Sequence, residues 1–440
     1  ALTPGLRDDL AAHPGDWMLG RGSIDMKSGV AANIAVIRRL AAAAARGDQP
    51  TLSVLFLATP DEETESAGVL RAVRFLLDLR AERALTYLGV VNTDYTTAEY
   101  PGDPHHYVYT GTIGKLLPSF FIVGRESHVG QPFNGVDANL LAAELIRDLS
   151  MNDDLCDQVH GQLTPPPVTL RAADLKARYD VQLPFAAFFY LNVLTFDTQP
   201  DELLRRLCRG ADAALARVLG RLDACEQRWN AAVHLPTRPH MPRSGVVLTY
   251  AELCARAARH AGAEEVAREL ADEWARWPAE LDKRERSLHL VRRLWSLSGA
   301  TGPAIVVYYS PPYYPHVAAT NGALHAAVRA VMAVHPELDL IERAYYPYIS
   351  DMSYLRLDAG VDTAALTANM PVWTEPAAAP RPGAYSLPLE EMRALDLPVV
   401  NLGPYGRGAH QRGEAVLMSY SFGVLPQLLW EVIEELEEEV

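Results

Sequence analysis

The chain has 440 residues, of which 49% are hydrophobic, so it is long enough for two domains with a substantial core. It carries 55 acidic and 40 basic residues, and the formal charge of -15 argues against a broad surface for nucleic acid or anionic membranes. We therefore expect a small-molecule or peptide partner. Four scattered cysteines without a C-x-x-C pair favour a reducing cytoplasm, and no apolar run reaches the roughly 18 residues of a membrane helix.

Helices and buried strands alternate near the start of the chain. Residues 29–45 are alanine-rich with a helical period, and 51–59 are a near-continuous apolar run that predicts a strand buried on both faces. A helix over 67–81 and a second buried strand over 86–93 follow. This alternation predicts crossover units and a mainly parallel sheet flanked by helices, which is an α/β fold.

The same pattern returns at the far end of the chain. A helix over 322–334 precedes a strand over 397–404, and a terminal helix covers 426–439. We therefore expect the two ends of the sequence to share one sheet. Residues 1–108 and 319–440 are predicted to form this first domain.

The middle of the chain, 109–318, has a different order of elements. Strand-like segments over 114–124 and 185–197 are each followed by a helical segment, and 303–310 adds a strand. This order is compatible with an inserted α+β unit of the split ferredoxin-like type. A stretch at about 225–300, rich in Arg, Glu, Trp and Ala, predicts a helical insertion within that unit.

Acidic residues collect just after the predicted strands of the first domain. Ligands of parallel sheets gather beyond the carboxyl ends of the strands, so these residues are expected at one rim. In chain order they are Asp25, Asp61, Glu62, Glu63, Asp94 and Glu414, with His410 among them. Asp25 lies in "GRGSIDMKSG", where Met26 precedes Lys27, so the glycine that a phosphate loop needs before its lysine is missing.

Crowded carboxylates repel one another unless a cation neutralises them. Oxygen and imidazole ligands suit zinc, and a pair of divalent ions explains the group economically. Of two adjacent glutamates, one can bind metal while the other acts as a general base. Each residue also has an ordinary structural explanation, such as a helix cap, an Asx turn or a surface histidine. Only their joint occurrence at strand ends favours the metal hypothesis.

Four motifs in family order resemble the co-catalytic zinc metallopeptidase superfamily, which includes aminoacylases, acetylornithine deacetylase, succinyl-diaminopimelate desuccinylase and glutamate carboxypeptidases. They are "GRGSIDMKSG", "LATPDEE", "GRESHVGQPFNGVDAN" and "GPYGRGAH". The segments "NTDYTTA", "YYSPPYYPH" and "YYPYISDMSYL" look closest to the RocB branch of arginine utilisation. The resemblance implies a catalytic metal-binding domain and an inserted lid domain that usually also forms a homodimer.

The resemblance also implies roles for individual residues. Asp25 would bridge two metal ions, with a cis peptide often following it, and Glu63, Asp94 and His410 would bind one ion or the other. The ions would be zinc, with cobalt or manganese as alternatives. Glu62 would be the general base, and His128 would reach the substrate carbonyl oxygen. Weaker candidates for supporting the ligands or contacting substrate are Glu414, Asp137, Asn192, Asp351, Arg356 and Arg407.

Three features depart from the family pattern. The His-x-Asp motif that normally precedes the glycine-rich motif is not matched, because His13 is followed by Pro14 and Gly15. Either that segment lies upstream of Ala1, which the missing initial methionine favours, or the metal site is incomplete. The lid is lengthened by the helical insertion, and Asp137 stands where many relatives have asparagine.

The leading hypothesis is therefore a metal-dependent hydrolase that cleaves an amide or peptide bond of a small amino-acid derivative. A metal-activated water would attack the carbonyl, with Glu62 taking its proton and returning one to the leaving amine. The alternative is a catalytically impaired amino-acid-binding or regulatory protein on the same fold. A weaker third hypothesis is a structural homodimer component whose lid insertion recruits a partner.

Overall fold

The computed structural model of the protein describes residues 4–48, 50–233, 243–376 and 381–438. The chain divides into two compact units. Unit 1 comprises Ala1–Gly114, Tyr314–Asp358 and Pro388–Val440, and unit 2 comprises Lys115–Tyr313 and Ala359–Leu387. Both ends of the sequence thus contribute to unit 1.

The strands of seven or more residues lie almost entirely in unit 2. In chain order they are β1 Trp17–Leu19, β2 Val90–Asn92, β3 His106–Tyr109, β4 Gly114–Val123, β5 Gln158–Val159, β6 Gln162–Leu163, β7 Val168–Asp174, β8 Ala186–Thr195, β9 Val246–Thr249, β10 Ala304–Tyr314, β11 Leu340–Arg343, β12 Val399–Asn401, β13 Gly406–Arg407 and β14 Ala415–Leu417.

The α-helices occur in both units. In chain order they are α1 Pro4–Ala12, α2 Ser28–Arg46, α3 Ala67–Arg83, α4 Ala138–Leu149, α5 Pro200–Ala232, α6 Tyr250–Ala261, α7 Ala263–Ala275, α8 Lys283–Leu297, α9 Ala323–Val334, α10 Thr363–Ala368, α11 Leu389–Leu395 and α12 Leu425–Glu438. Residue 439 of the predicted terminal helix lies outside the described residues.

The central sheet of unit 1 joins the two ends of the sequence, as predicted. Its order is β11-β3-β12-β2, and β12 pairs in parallel with β2, so Asn401 lies opposite Asn92. β11 and β3 are also parallel, while β12 meets β3 in the antiparallel sense. Helices α2, α9 and α12 pack on one shared apolar cluster with residues of β3 and β12. The α/β fold class is confirmed, with a mixed sheet.

The predicted buried strand over 51–59 is wrong. No residue of 51–59 pairs in a sheet, and Val54, Leu55 and Leu57 are exposed. An apolar run becomes a buried strand only when another strand satisfies its backbone groups, and the described chain supplies none here. The strand predicted over 86–93 is present only as β2.

Unit 2 is built on a five-stranded sheet with the order β7-β8-β4-β10-β9. Helix α4 packs against α5 and against β8. Helices α6, α7 and α8 occupy most of the predicted insertion and share an apolar cluster that includes residues of β10. Helix α5 continues past Cys225 to Ala232, β9 was not predicted, and 234–242 lie outside the described residues.

One segment, Ser23–Arg46, is long and apolar enough to cross a membrane by length and composition. A core helix of a soluble protein passes the same test, and Ala32, Val36 and Ala43 of this segment are buried. All four cysteines are free.

Candidate metal centre

Asp25 is held by its backbone in a tight turn, Ser23–Lys27, that precedes α2. Gly22 has a φ of 72°, which glycine adopts without steric cost, and the peptide bond between Asp25 and Met26 is cis. Glu414 Oε1 accepts hydrogen bonds from the backbone N–H groups of Ile24 (3.1 Å) and Asp25 (3.3 Å). Arg21 donates to the other oxygen of Glu414 at 2.8 Å. A buried carboxylate thus fixes the backbone that carries Asp25.

Three of the four predicted metal ligands converge. Asp25, Glu63 and His410 each offer one ligand atom, and these atoms lie within 4.8 Å of one another. His410 Nε2 lies 2.6 Å from Asp25 Oδ2 and 3.2 Å from Glu63 Oε1. His410 has a φ of 62°, an uncommon conformation for a residue with a side chain. Two carboxylates and an imidazole are a donor set that a divalent cation such as zinc accepts.

Asp94, the fourth predicted ligand, follows β2 and is 7% exposed. Its backbone N–H donates to Asn401 Oδ1 (3.0 Å), and Asn401 Nδ2 donates back to the carbonyl oxygen of Asp94 (2.9 Å). Burial, followed by the negative charge of Asp25, raises the pKa of Asp94 to about 7. Desolvation and a neighbouring carboxylate both disfavour the ionised form of a carboxyl group. The charge of Asp25, a member of the cluster, therefore acts on Asp94.

Glu62 has a strongly perturbed carboxyl group. Burial, followed by the negative charges of Asp94, Asp351, Glu63 and Asp25 in that order, raises its pKa to about 8. Carboxylates that hinder one another's ionisation in this way are those that a bound cation would relieve, so the residues present fit a divalent metal site.

The loop that carries Glu62 and Glu63 bends sharply. Asp61 and Ser66 both adopt positive φ angles, 73° and 55°. Such conformations cost energy in residues with side chains and cluster at functional sites. The bends place Glu62 partly buried while the side chain of Glu63 stays exposed.

The weaker candidates of unit 1 have ordinary partners. Asp351 Oδ2 accepts from Thr59 (3.4 Å), and burial raises the pKa of this carboxyl. Arg356 forms an ion pair with Asp396 (2.8 Å), and Arg407 forms one with Asp9 (2.7 Å). Both guanidinium groups are therefore already paired with carboxylates.

The candidates of unit 2 are placed as follows. His128 is exposed in the loop after β4, and its Nδ1 accepts from the backbone N–H of Gly130 (3.1 Å). Asp137 caps α4 by accepting from the N–H of Asn139 (2.8 Å). Asn192 lies in β8 opposite Val168. The cap explains an acidic residue at position 137 without a substrate.

Asn401 and Gly403 were missed by the sequence analysis. Asn401 is fully buried and bridges Asp94 to the amide of Asn92 (3.0 Å). A Cβ added to Gly403 would lie 1.7 Å from the carbonyl oxygen of Asp94, so only glycine fits there. The available signal was the asparagine inside the apolar run "LPVVNLGP", because a buried amide requires hydrogen-bond partners.

Comparison with known proteins gives a family match. Residues 8–382 match the sequence model of peptidase family M20/M25/M40. The uncharacterized protein YqjN of Bacillus subtilis is 36% identical over 422 residues, which cover 95% of this chain and 74% of that protein. Protein RocB of the same organism is 30% identical over 431 residues, covering 95% and 73%. Succinyl-diaminopimelate desuccinylase of Rhodopseudomonas palustris is 28% identical over 211 residues, covering 48% and 52%.

Proposed function

Because this chain belongs to peptidase family M20/M25/M40, we propose that it is a metal-dependent hydrolase of an amide or peptide bond in a small amino-acid derivative. The substrate would be an N-acyl amino acid or a dipeptide. The observation that carries the proposal is the convergence of Asp25, Glu63 and His410 beside the perturbed carboxyls of Glu62 and Asp94. The similarity to a desuccinylase supports cleavage of a C–N bond.

Asp25, Glu63, Asp94 and His410 would hold two divalent ions, which we propose are zinc. When bound, such ions polarise a carbonyl and make water a better nucleophile at neutral pH. Asp25 is the proposed ligand shared by the two ions. Its carboxylate lies beside His410, and its negative charge raises the pKa of Asp94, which supports this role.

Glu62 is the proposed general base. Its carboxylate would take a proton from the attacking water and deliver a proton to the leaving amine, which requires a group that both accepts and releases protons near neutral pH. Without metal, burial and the neighbouring carboxylates raise the pKa of Glu62 to about 8, and a bound cation would lower it from there. His128 is proposed to donate a hydrogen bond to the carbonyl oxygen as negative charge develops on it.

The test is to measure both the activity and the bound metal of a Glu62→Gln variant. The metal-loaded wild type is screened against N-acetyl amino acids, including N-acetylarginine and N-acetylornithine, and against dipeptides. Glu62→Gln should lower turnover of any substrate found by roughly a hundredfold to ten-thousandfold, the usual range for loss of a general base, while bound metal stays near the wild-type amount.

Glu65→Gln, in the same loop and exposed, is the matched control and should keep wild-type activity. Wild-type activity in Glu62→Gln would refute the base assignment. A wild type that binds metal but hydrolyses nothing in the panel would favour the alternative of a binding or regulatory protein.

We also propose a cytoplasmic homodimer joined through unit 2, with a role in arginine utilisation like that implied by the RocB resemblance. Among the residues that the structure describes, β7 pairs only with β8, and its Val168 and Leu170 are exposed. An edge strand with exposed apolar side chains offers a surface for pairing with a second copy. Light scattering should give a dimer mass, and Leu170→Lys should shift it to the monomer. A monomeric wild type would refute the dimer.

A further inference from the structure

Residues 346–351, here called the rim segment, lie in unit 1 beside the carboxylate cluster. At one end of the rim segment, the Tyr346 hydroxyl donates to the backbone carbonyl oxygen of Tyr95 at 3.1 Å. At the other end, the charge of Asp351 contributes to the raised pKa of Glu62. The rim segment therefore follows one side of the cluster.

Tyr95 connects the rim segment to a proposed metal ligand. Its backbone N–H donates to Asp94 Oδ1 at 2.8 Å, and its ring stacks on the ring of Tyr348, with centroids 5.0 Å apart and planes 29° apart. Burial is the main cause of the raised pKa of the Tyr95 hydroxyl, and the charges of Asp94, Asp25 and Glu63 are among the further causes. The stacked pair of tyrosines is therefore within electrostatic reach of the cluster.

Tyr348 is the open member of this group of rings. Tyr345 and Tyr346 are 8% and 0% exposed, whereas Tyr348 is 39% exposed. The buried ring of Tyr346 meets the rings of Tyr95 and Tyr348 edge-on, at interplanar angles of 80° and 71°. Edge-on and stacked contacts are the arrangements that aromatic rings prefer, so both neighbours hold Tyr348 in its orientation. Packing explains the buried tyrosines but not an oriented, exposed ring beside the cluster.

We propose that Tyr348, stacked on Tyr95, binds a planar group in the side chain of the substrate and so selects among substrates of the hydrolase proposed above, on which this inference rests. The planar group is an aromatic ring or a guanidinium, because both stack on the face of a tyrosine. Two divalent ions would neutralise the four proposed carboxylates of the site, so charge alone would not select a side chain. Contact with the exposed ring supplies that selection.

The test compares substrates with and without a planar side chain. N-acetylphenylalanine and N-acetylarginine have one, whereas N-acetylleucine and N-acetylalanine do not. Tyr348→Leu keeps an apolar side chain and removes the ring. It should raise the KM of the better planar substrate about 3–10-fold, the effect of one aromatic or cation–π contact, with little change in kcat. The kinetic constants for N-acetylalanine, whose side chain is a single methyl group, should stay at the wild-type values.

Three further variants separate the ring from other effects. Tyr348→Phe keeps the ring and should behave like the wild type, whereas an equal loss in Tyr348→Phe would assign the effect to the hydroxyl and overturn the proposal. Tyr100→Leu, at another exposed tyrosine of unit 1, is the matched control and should change no constant. Tyr348→Trp covers the case in which Tyr348→Leu does not fold. It should prefer planar substrates over N-acetylleucine at least as strongly as the wild type does, and a weaker preference overturns the proposal.

Binding measurements distinguish failure of this inference from failure of the hydrolase proposal. If the metal-loaded wild type hydrolyses none of the four probes, the hydrolase proposal fails, and the dissociation constants of the same probes are measured by calorimetry. A planar probe should still bind about 3–10-fold more tightly than N-acetylleucine, and Tyr348→Leu should remove this difference. The preferred probe identifies the planar group as the aromatic ring or the guanidinium. A wild type without a preference for either planar probe, or an unchanged preference in Tyr348→Leu, overturns the inference.

Discussion

The two sides of the carboxylate cluster are built differently. On the anchored side, Asp94 is buried and bonded to Asn401, while Asp25 is carried by a backbone that Glu414 holds. On the open side, the side chains of Glu63 and His410 are 61% and 56% exposed. The fold therefore fixes Asp94 and Asp25 before any metal binds. The side chains of Glu63 and His410 are positioned by their contacts within the cluster.

The two sides of the cluster should therefore contribute differently to the stability of unit 1 and to metal binding. Groups on the anchored side satisfy buried polar atoms, so their loss leaves unpaired donors or acceptors, which costs about 1–3 kcal/mol each. Exposed ionic contacts contribute little to stability, with a median of about 0–1 kcal/mol. Substitutions on the anchored side should therefore destabilise unit 1, whereas those on the open side should affect only the metal.

The largest effect is expected from Gly403→Ala on the anchored side. The new Cβ would lie 1.7 Å from the carbonyl oxygen of Asp94, so the strand end that positions Asp94 must move. Overpacking of this kind costs about 3 kcal/mol or more. The thermal midpoint should fall by roughly 6–12 °C, at 2–4 °C per kcal/mol for a unit of this size.

Gly423→Ala is the matched control for that measurement. A Cβ at Gly423 would meet no atom within 4 Å, so its midpoint should stay close to that of the wild type. If the two variants had the same thermal midpoint, the close approach at Gly403 would have no effect on stability.

Glu414→Ala should have the next largest effect. It removes the acceptor for two backbone N–H groups and for Arg21, at a site where Glu414 is 1% exposed. We expect about 2 kcal/mol of destabilisation from the buried donors left unpaired. Because the backbone of Asp25 is released, metal affinity should also fall about 10–100-fold, as is usual when a supporting partner of a ligand is lost.

Glu414→Gln keeps one oxygen that can accept from the backbone and should recover most of the stability. Calorimetry and metal titration of the two variants separate these contributions. Equal loss in both variants would mean that the charge of Glu414, rather than its hydrogen bonds, supports the turn.

Sequence reasoning identified the charged residues, including Glu414 as a support for the ligands, but not the uncharged residues that position Asp94. Asp25, Glu63 and His410 were predicted together because strand ends of one sheet share a rim, and the structure brings them together. Asn401 and Gly403 were missed because their roles depend on how closely two strands approach. That distance is set by tertiary packing and leaves no periodic pattern in the sequence.

Two similar apolar runs show why part of the fold could not be predicted from the sequence. Residues 397–404 were predicted as a strand, and β12 forms there because β2 and β3 flank it. Residues 51–59 have an equally apolar pattern but no neighbouring strand in the described chain. Composition specifies that a segment favours a strand, but backbone pairing decides whether the strand exists.

His410→Ala tests the open side and should hardly affect stability. The side chain is more than half exposed, so the free energy of unfolding without metal should change by less than about 0.5 kcal/mol. One proposed ligand is nevertheless lost, so metal titration should show at least one site weakened beyond detection. His13→Ala, another exposed histidine of unit 1, should bind metal like the wild type. Normal metal binding by His410→Ala would remove His410 from the ligand set.

The smallest expected effect is a release of protons on metal binding. Without metal, the pKa of Asp94 is raised to about 7 and that of Glu62 to about 8, so both carboxyls are partly or largely protonated at pH 6.5. A cation binds the ionised carboxylate and lowers these pKa values, so binding must displace protons, and metal affinity must rise with pH up to about 8. Titration calorimetry at pH 6.5 in two buffers of different ionisation enthalpy should report the release of about one to two protons. At pH 9 both carboxyls are already ionised before metal arrives, so the release should approach zero. Equal proton release at the two pH values would show that metal binding does not change the ionisation of Asp94 and Glu62.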